Sequence, residues 1–390
     1  MKEKKSMAAL KCIGGLISVV LLYSLADSTG MKKYAAAMLV CVSFLILGMK
    51  KKFDLMEVLS VMTPSIIYVL LGGGCLLFGA SPQISAIKVM MYCVLPMILS
   101  MAVYICYGEN IKYMVDAQFI YGTLFYLLSN LEEIFWPIIR AYRSNWITLI
   151  REFRWESSFA FTFGIFAVYY AYKKRWGMFL IAGIFAYIGN KRIVLLAMAA
   201  ALAVMAFVWL FRSNKKLVYA LWGGICAAVF AYLAFIYSGG MSFWSEVFNL
   251  NSNGRLKIYD RILAEYEFSA GYLGKGIGVI ENLLEHWNIP TFANLHNDLL
   301  KFYIELGFWG LFIYLLSYYI LFYVAEKVAK ESVLIYLLGI LCYTLVLFAT
   351  DNVSIYLIYL IPFYTTIYAV LSAGKKNAEN RRYVDAEETN

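Results

Sequence analysis

Both histidines of the chain, His286 and His296, lie in one polar segment between two long apolar stretches. An imidazole accepts a proton near neutral pH, which makes histidine the usual general base of enzymes. His296 stands directly before an apolar stretch, where a polar surface meets an apolar one. His286, between Glu285 and Trp287, is interpreted as a hydrogen-bonded structural residue. His296 is therefore the histidine whose position suits a functional role.

Two groups of cations are candidates for binding an anionic substrate. Lys191 and Arg192 begin an apolar stretch, where the positive end of a helix dipole disfavours cations unless an anion compensates. Snorkelling of both side chains to lipid headgroups is an equally good interpretation. A second group falls on one side of a predicted amphipathic helix, where guanidinium groups would contact headgroups or bind a pyrophosphate in bidentate fashion. Its members are Arg140, Arg143, Arg151 and Arg154.

The composition decides which class of protein must position these residues. Of 390 residues, 62% are apolar and only 15% are charged, and the mean hydropathy is +0.69. Soluble domains are about 45–50% apolar and about 25% charged, so a soluble globular protein is excluded. The apolar stretches lack the two-residue alternation of an outer-membrane barrel. The sequence predicts an all-α polytopic membrane protein. Its net charge of +9 does not indicate nucleic-acid binding, because the basic residues flank the apolar stretches.

About twelve transmembrane helices are predicted within a single membrane domain, residues 1–373, followed by a polar tail, 374–390. The fifth span is the weakest, because it contains Lys112, Asp116 and Gln118. The predicted spans are 12–29, 34–49, 59–79, 84–107, 112–129, 157–172, 176–189, 193–211, 217–238, 298–323, 332–349 and 353–371.

The distribution of Lys and Arg predicts the orientation. Cytoplasmic loops of membrane proteins are enriched in these residues, and the enrichment here places both termini in the cytoplasm. Two long segments then face outward: an amphipathic interfacial segment, 130–156, and a large extracytoplasmic loop, 239–297. Long loops on a rigid scaffold commonly carry function.

The larger loop contains a helix start and a glycine-rich turn. Asn251-Ser252-Asn253-Gly254-Arg255 predicts a short helix that begins near Arg255. Gly274-Lys275-Gly276-Ile277-Gly278 predicts a turn rather than a nucleotide-binding loop, because it is followed by no Lys-Ser/Thr pair. The aspartates form no Asp-x-Asp pair, so no metal site is predicted. Gly307 and Gly310 are interpreted as a site of close helix contact.

Three short motifs occur in order along residues 189–315. The first contains the candidate cation Arg192, the second contains Arg255 and the third contains His296. They are Arg192 followed after three residues by Leu196, Gly254-Arg255, and His296-Asn297 followed after nine residues by Gly307-Phe308-Trp309-Gly310.

This set of motifs resembles the signature of the O-antigen ligase and O-antigen (Wzy-type) polymerase family. The resemblance implies a GT-C-like scaffold that transfers a glycan from an undecaprenyl-diphosphate carrier to an acceptor hydroxyl outside the cytoplasmic membrane. It implies that Arg192 and Arg255 stabilise the departing pyrophosphate and that His296 accepts the proton. Attack opposite the pyrophosphate would invert the anomeric centre without a metal or other cofactor.

The remaining substrate contacts are assigned to six other polar residues. They are the four arginines of segment 130–156, Lys191 and Asn297. The implied partners are the lipid-linked glycan, membrane lipid, a flippase and a chain-length regulator. No contact with nucleic acid is expected.

Two other functions remain open at this point. A ligase would transfer the finished glycan to a different acceptor; polymerisation of oligosaccharide repeat units is favoured, because it does not require a Gram-negative envelope. A transporter would also have twelve spans and both termini inside. It should show two similar halves, whereas this chain shows no repeat and concentrates its polar groups in outer loops after residue 239.

Overall fold

A computed structural model describes most of the chain. Two of the predicted spans, 12–29 and 34–49, lie outside the described residues, as do Arg140, Arg143, Arg151 and Arg154. The described ranges are 53–79, 84–132, 156–211, 214–247, 255–287, 295–328 and 331–388.

Within these ranges the chain is helical and contains no strand. Short 3₁₀ turns at Gly108–Asn110 and Val353–Ile355 precede two of the helices. The helices are α1 (Leu55–Gly79), α2 (Ile84–Tyr107), α3 (Ile111–Ser129), α4 (Phe159–Tyr172), α5 (Trp176–Ile188), α6 (Arg192–Leu210), α7 (Lys215–Tyr237), α8 (Gly240–Val247), α9 (Arg255–Glu265), α10 (Val279–His286), α11 (Asp298–Val328), α12 (Glu331–Phe348) and α13 (Leu357–Glu388).

The ten predicted spans that fall in the described ranges each correspond to a helix. The described residues contain six helical segments long and apolar enough to cross a membrane, together with shorter apolar helices at α4, α5 and α12. The protein is therefore a polytopic helical membrane protein, as predicted. The largest difference is α13, which was expected to end at residue 371 and continues to Glu388. Hydropathy marks the end of an apolar stretch, but Lys, Glu, Arg and Ala after it are good helix formers.

The interior of the bundle is built around α13 and α4. Helix α13 packs against α2, α3 and α4, and α11 packs against both α1 and α12. Every residue of α4 from Ala160 to Tyr170 is buried, whereas α6 exposes Leu196, Trp209 and Leu210. A helix that is apolar all round belongs in the interior, and outward apolar side chains on a membrane protein are suited to contact lipid.

Helix α3 corresponds to the predicted fifth span, and the structure accounts for two of its polar residues. Both oxygens of Asp116 accept hydrogen bonds from the Arg175 guanidinium, at 2.6 and 2.9 Å. The Gln118 amide donates to the Thr365 hydroxyl on α13, at 3.4 Å. These partners reduce the cost of placing polar groups in an apolar helix.

Helix α11 is interrupted at Gly307, which has φ 75° and ψ 179°. The interpretation of Gly307 as a point of close helix contact was wrong, because the backbone is not helical there. The predicted glycine turn lies against this break: a Cβ atom on Gly274 would lie 2.5 Å from the Gly307 nitrogen. Gly274, Gly276 and Gly278 all have positive φ, which glycine adopts without steric cost.

Candidate active site

The sequence His296-Asn297-Asp298 forms the beginning of α11. Asn297 is fully buried, and its Oδ1 accepts a hydrogen bond from the Leu300 N–H at 2.9 Å, which is a helix cap. The two oxygens of Asp298 accept from the backbone N–H and the hydroxyl of Ser354, at 2.8 and 2.6 Å. These bonds fix the start of α11 against the turn that precedes α13.

His296 has φ 54°, in the left-handed region that few residues other than glycine adopt, histidine being among those enriched there. Such strained positions are frequent at functional sites. The His296 side chain is 25% exposed, and its Nδ1 lies 3.3 Å from Oδ1 of Asp351. With Nδ1 facing a carboxylate, Nε2 is the nitrogen that remains to exchange a proton with a substrate.

Asp351 is a candidate site residue that none of the sequence motifs contains. It lies in the turn between α12 and α13, and it is 3% exposed. Besides His296, its Oδ1 accepts from the Asn352 N–H at 2.8 Å and from the Tyr356 hydroxyl at 3.3 Å. A buried carboxylate on one nitrogen of an imidazole fixes the orientation and tautomer of the ring. The available signal was a polar Asp351-Asn352 pair between two apolar spans on the predicted outer side.

Arg255 reaches the same turn from the loop between α7 and α11. It begins α9, as predicted, and its Nη1 donates to the Thr350 carbonyl at 3.2 Å. On the same helix, the Tyr259 hydroxyl donates to the His296 carbonyl at 3.4 Å. Arg255 and His296 are 41 positions apart in the sequence. In the structure they contact consecutive residues of one turn, Thr350 and Asp351.

Lys191 and Arg192 lie at the start of α6. The Lys191 ammonium pairs with Glu156 and lies 6.0 Å from the centroid of the Phe161 ring. That ring stacks on Tyr356 with centroids 6.0 Å apart, and Tyr356 donates to Asp351. Arg192 is exposed and forms no ion pair with a carboxylate of the described residues.

The other predicted site residues stand differently. Asn297 uses both ends of its amide within the protein, since its Nδ2 also donates to the Tyr232 hydroxyl at 3.0 Å; its contact with substrate stays a prediction. The four arginines of segment 130–156 lie outside the described residues. His286 is exposed on α10, with Nδ1 3.2 Å from the Asn282 carbonyl. Across the part of the chain that the structure describes, no group of three His, Cys, Asp or Glu side chains could hold a metal ion.

The pKa of Asp351 reflects its surroundings. Burial raises it, but the hydrogen bonds from His296 and from the Asn352 N–H, together with the charge of Lys191, lower it by more. The net result is a pKa below the ordinary value of 3.8. Asp351 is therefore ionised at neutral pH. The Tyr356 phenol donates to this carboxylate.

The lowered pKa predicts how stability depends on pH. A carboxylate whose pKa is lower in the folded protein stabilises it fully above the unfolded value of about 3.9, and this contribution is lost as the pH falls through the folded value. We expect Asp351→Asn to have a lower midpoint of thermal unfolding than the wild type above pH 5, with the difference shrinking below about pH 4. Unfolding measured in detergent from pH 3 to 7 tests this. A difference that grows on acidification would contradict it.

Comparison with known proteins adds one match. Residues 177–315 match a family model described as O-Antigen ligase, and this range contains Lys191, Arg192, Arg255, His296 and Asn297. Asp351 lies beyond it. No curated protein matches the chain. The match covers the part of this multi-pass membrane protein that carries its three motifs, and it supports the resemblance of that part to the O-antigen ligase and polymerase family.

Proposed function

We propose that the protein polymerises undecaprenyl-diphosphate-linked oligosaccharide repeat units into a surface polysaccharide, an O-antigen or a capsule. The reaction takes place at the outer face of the bacterial inner membrane, with both termini of the chain in the cytoplasm and a GT-C-like helical scaffold. The observation that carries this proposal is the turn at residues 350–351, where His296 contacts Asp351 and Arg255 contacts Thr350.

In this reaction His296 is the general base. Its Nε2 accepts the proton of the acceptor sugar hydroxyl, and the hydroxyl oxygen forms a bond to the anomeric carbon of the donor. The bond from that carbon to the pyrophosphate oxygen breaks, and undecaprenyl diphosphate leaves with the electron pair. Asp351 holds the imidazole and stabilises its protonated form, as an orienting carboxylate does in a catalytic triad.

Arg255 and Arg192 stabilise the negative charge that develops on the leaving pyrophosphate. Guanidinium groups suit this role because they bind phosphate oxygens in bidentate fashion, and preorganised donors act most strongly where charge develops in the transition state. Attack opposite the leaving group inverts the anomeric centre, and the arginines supply the charge that a metal ion would otherwise supply. Lys191, Asn297, Arg140, Arg143, Arg151 and Arg154 are proposed to contact the substrate.

The second candidate function is ligation of a finished glycan to another acceptor. The description of the matched family as O-Antigen ligase favours it. The base and the leaving group are the same in both reactions, so the residues of the turn do not distinguish them. The polymerase would receive its substrate from a flippase and would be controlled by a chain-length regulator.

The test is a transfer assay with the purified protein in lipid and a synthetic undecaprenyl-diphosphate oligosaccharide. We expect the wild type to produce a ladder of lengthened glycans and His296→Ala to produce none. Transfer of single glycans to an added acceptor, without a ladder, would favour the ligase. Absence of any transfer, together with lipid-independent sugar uptake into vesicles, would overturn both enzymatic functions in favour of a transporter.

A further inference from the structure

The glycine turn of the extracytoplasmic loop fills the break in α11 by backbone pairing. At the break, the Phe308 N–H donates to the Tyr272 carbonyl at 3.0 Å instead of continuing the helix. The carbonyls of Ile304 and Glu305 accept from the N–H groups of Lys275 and Gly276, both at 2.9 Å. Buried backbone groups require such partners. The loop therefore completes the hydrogen bonding of α11.

Glu305 ties the same loop to the membrane domain through its side chain. The residue is fully buried, and its Oε1 accepts from the Gly278 N–H at 2.8 Å. Its Oε2 accepts from the Tyr68 hydroxyl on α1. The Lys301 ammonium lies 4.0 Å from Oε1 and also pairs with Glu281 of α10. Glu305 thus joins α1, α11 and the end of the glycine turn.

Residues 255–278 form one continuous segment. Glu305 contacts its last residue, Gly278, and Arg255 is its first residue. From α9 the chain runs along the first two turns of α11, where the Ser269 N–H donates to the Tyr303 hydroxyl at 3.0 Å and the Tyr303 hydroxyl donates to the Glu267 carbonyl at 2.9 Å. It then enters the break at Gly307. His296 precedes the same helix. The distance between Arg255 and His296 is therefore set by how residues 255–278 lie along α11.

We propose that Glu305 is a positioning residue of the reaction, a role that rests on the proposed function. Glu305 holds the glycine turn in the break of α11 and thereby keeps residues 255–278 packed along this helix. This packing places Arg255 beside the turn that orients His296. Glu305 itself does not contact the substrate or exchange a proton with it.

The first test compares alanine and glutamine at this position. Glu305→Gln keeps an oxygen that accepts from the Gly278 N–H and a polar contact for Tyr68, so we expect its kcat to lie within about threefold of the wild type. We expect Glu305→Ala to lower kcat about 10–100-fold, the size of effect that a misplacement of about 1 Å produces. An equal loss in both variants would overturn the positioning role in favour of a role for the charge.

A matched control exists near the start of α1. Glu57 is also fully buried, accepts from a tyrosine, Tyr104, and pairs with a lysine, Lys375, at 3.2 Å. We expect Glu57→Ala to lower the midpoint of thermal unfolding as Glu305→Ala does, but to leave kcat of the folded protein within about threefold of the wild type. An equal loss of kcat in both variants would show a general effect of stability and overturn the proposal.

A double-mutant cycle with Arg255 tests the route of the effect. If Glu305 acts by placing Arg255, Glu305→Ala lowers kcat little further once Arg255 is alanine, because residues that act as one unit are not additive. If the loss of kcat in the double variant equals the product of the losses in the two single variants, the proposal is overturned. In the same cycle with Glu57→Ala, the change in kcat of the double variant should equal the product of the two single changes.

Hydrogen–deuterium exchange tests, without an activity assay, whether Glu305 holds the glycine turn in the break of α11. In Glu305→Ala we expect the amides of residues 272–281 to exchange at least about tenfold faster than in the wild type, with α12 unchanged. Unchanged exchange in 272–281 would overturn the proposal. If the wild type transfers no glycan, the proposed function fails, and the exchange experiment still decides whether Glu305 holds the loop.

Discussion

Replacement of His296 by alanine is expected to lower kcat for glycan transfer about 10²–10⁴-fold, the usual contribution of a general base. The proton moves only as the transition state forms, so KM should change much less than kcat. The measurement is the initial rate of transfer by purified protein at several donor concentrations. A variant that keeps more than about a tenth of the wild-type kcat would contradict the assignment of His296 as base.

Two controls separate loss of the base from damage to the fold. His296 has a positive φ, which asparagine tolerates better than alanine does. His296→Asn therefore keeps the backbone with less strain and should lose as much kcat as His296→Ala. His286→Ala removes the other histidine, which is exposed, and should leave kcat unchanged.

Asp351 extends the same prediction. Asp351→Asn is expected to lower kcat by at least about 10²-fold, because an amide favours the wrong tautomer of the ring, as in the serine protease triad. In a His296→Ala background the same change should cost little more. Independent, multiplying losses would show that Asp351 does not act through His296.

The sequence predicted the helices well because the bilayer imposes one strong requirement on them. A spanning helix needs about 20 mostly apolar residues. The span predicted at 84–107, for example, begins and ends at the same residues as α2. The largest error was at the end of α13. The helix was expected to end where the sequence becomes polar, after residue 371, but it continues to Glu388. Nothing in the bilayer requirement stops a helix that has left the membrane.

The site was predicted in part. His296 and Arg255 were identified because they stand in short local motifs that resemble those of a family. Asp351 stands in no such motif, and its pairing with a residue 55 positions earlier depends on how α11, α12 and α13 pack. The polar Asp351-Asn352 pair between two apolar spans marks a position for a polar site, but it does not indicate which distant residue Asp351 contacts. The spacing of the seven aspartates could indicate a metal pair, which is a local pattern, but it could not indicate an orienting carboxylate.

Gly307 shows the same limit for the backbone. Its spacing from Gly310 is the spacing of a helix contact, and α11 is helical on both sides. The break arises from pairing with residues 272–278, which lie about 30 positions earlier in the chain. Local spacing therefore indicated a glycine with a structural role, and the tertiary structure determined which role it was.

Gly307→Ala is expected to destabilise the protein and abolish transfer. The backbone at φ 75° and ψ 179° lies in a region that only glycine normally adopts, at a cost of about 1–3 kcal/mol for other residues. A Cβ atom there would lie 2.5 Å from the Tyr272 carbonyl oxygen and 2.6 Å from the Gly274 nitrogen. Both are backbone atoms of the glycine turn, so neither can rotate away as a side chain would.

The alanine variant therefore has to displace the turn from the break or lose folded structure. We expect a lower midpoint of thermal unfolding in detergent, measured by intrinsic fluorescence, and a loss of kcat in the fraction that folds, since displacement of the turn also moves Arg255. Gly74→Ala is the control: it lies inside α1 with no heavy atom within 4 Å of its added Cβ. Alanine there should leave kcat unchanged and stabilise the helix by about 0.5–1 kcal/mol. An unchanged midpoint in Gly307→Ala would mean that the turn is not held in the break.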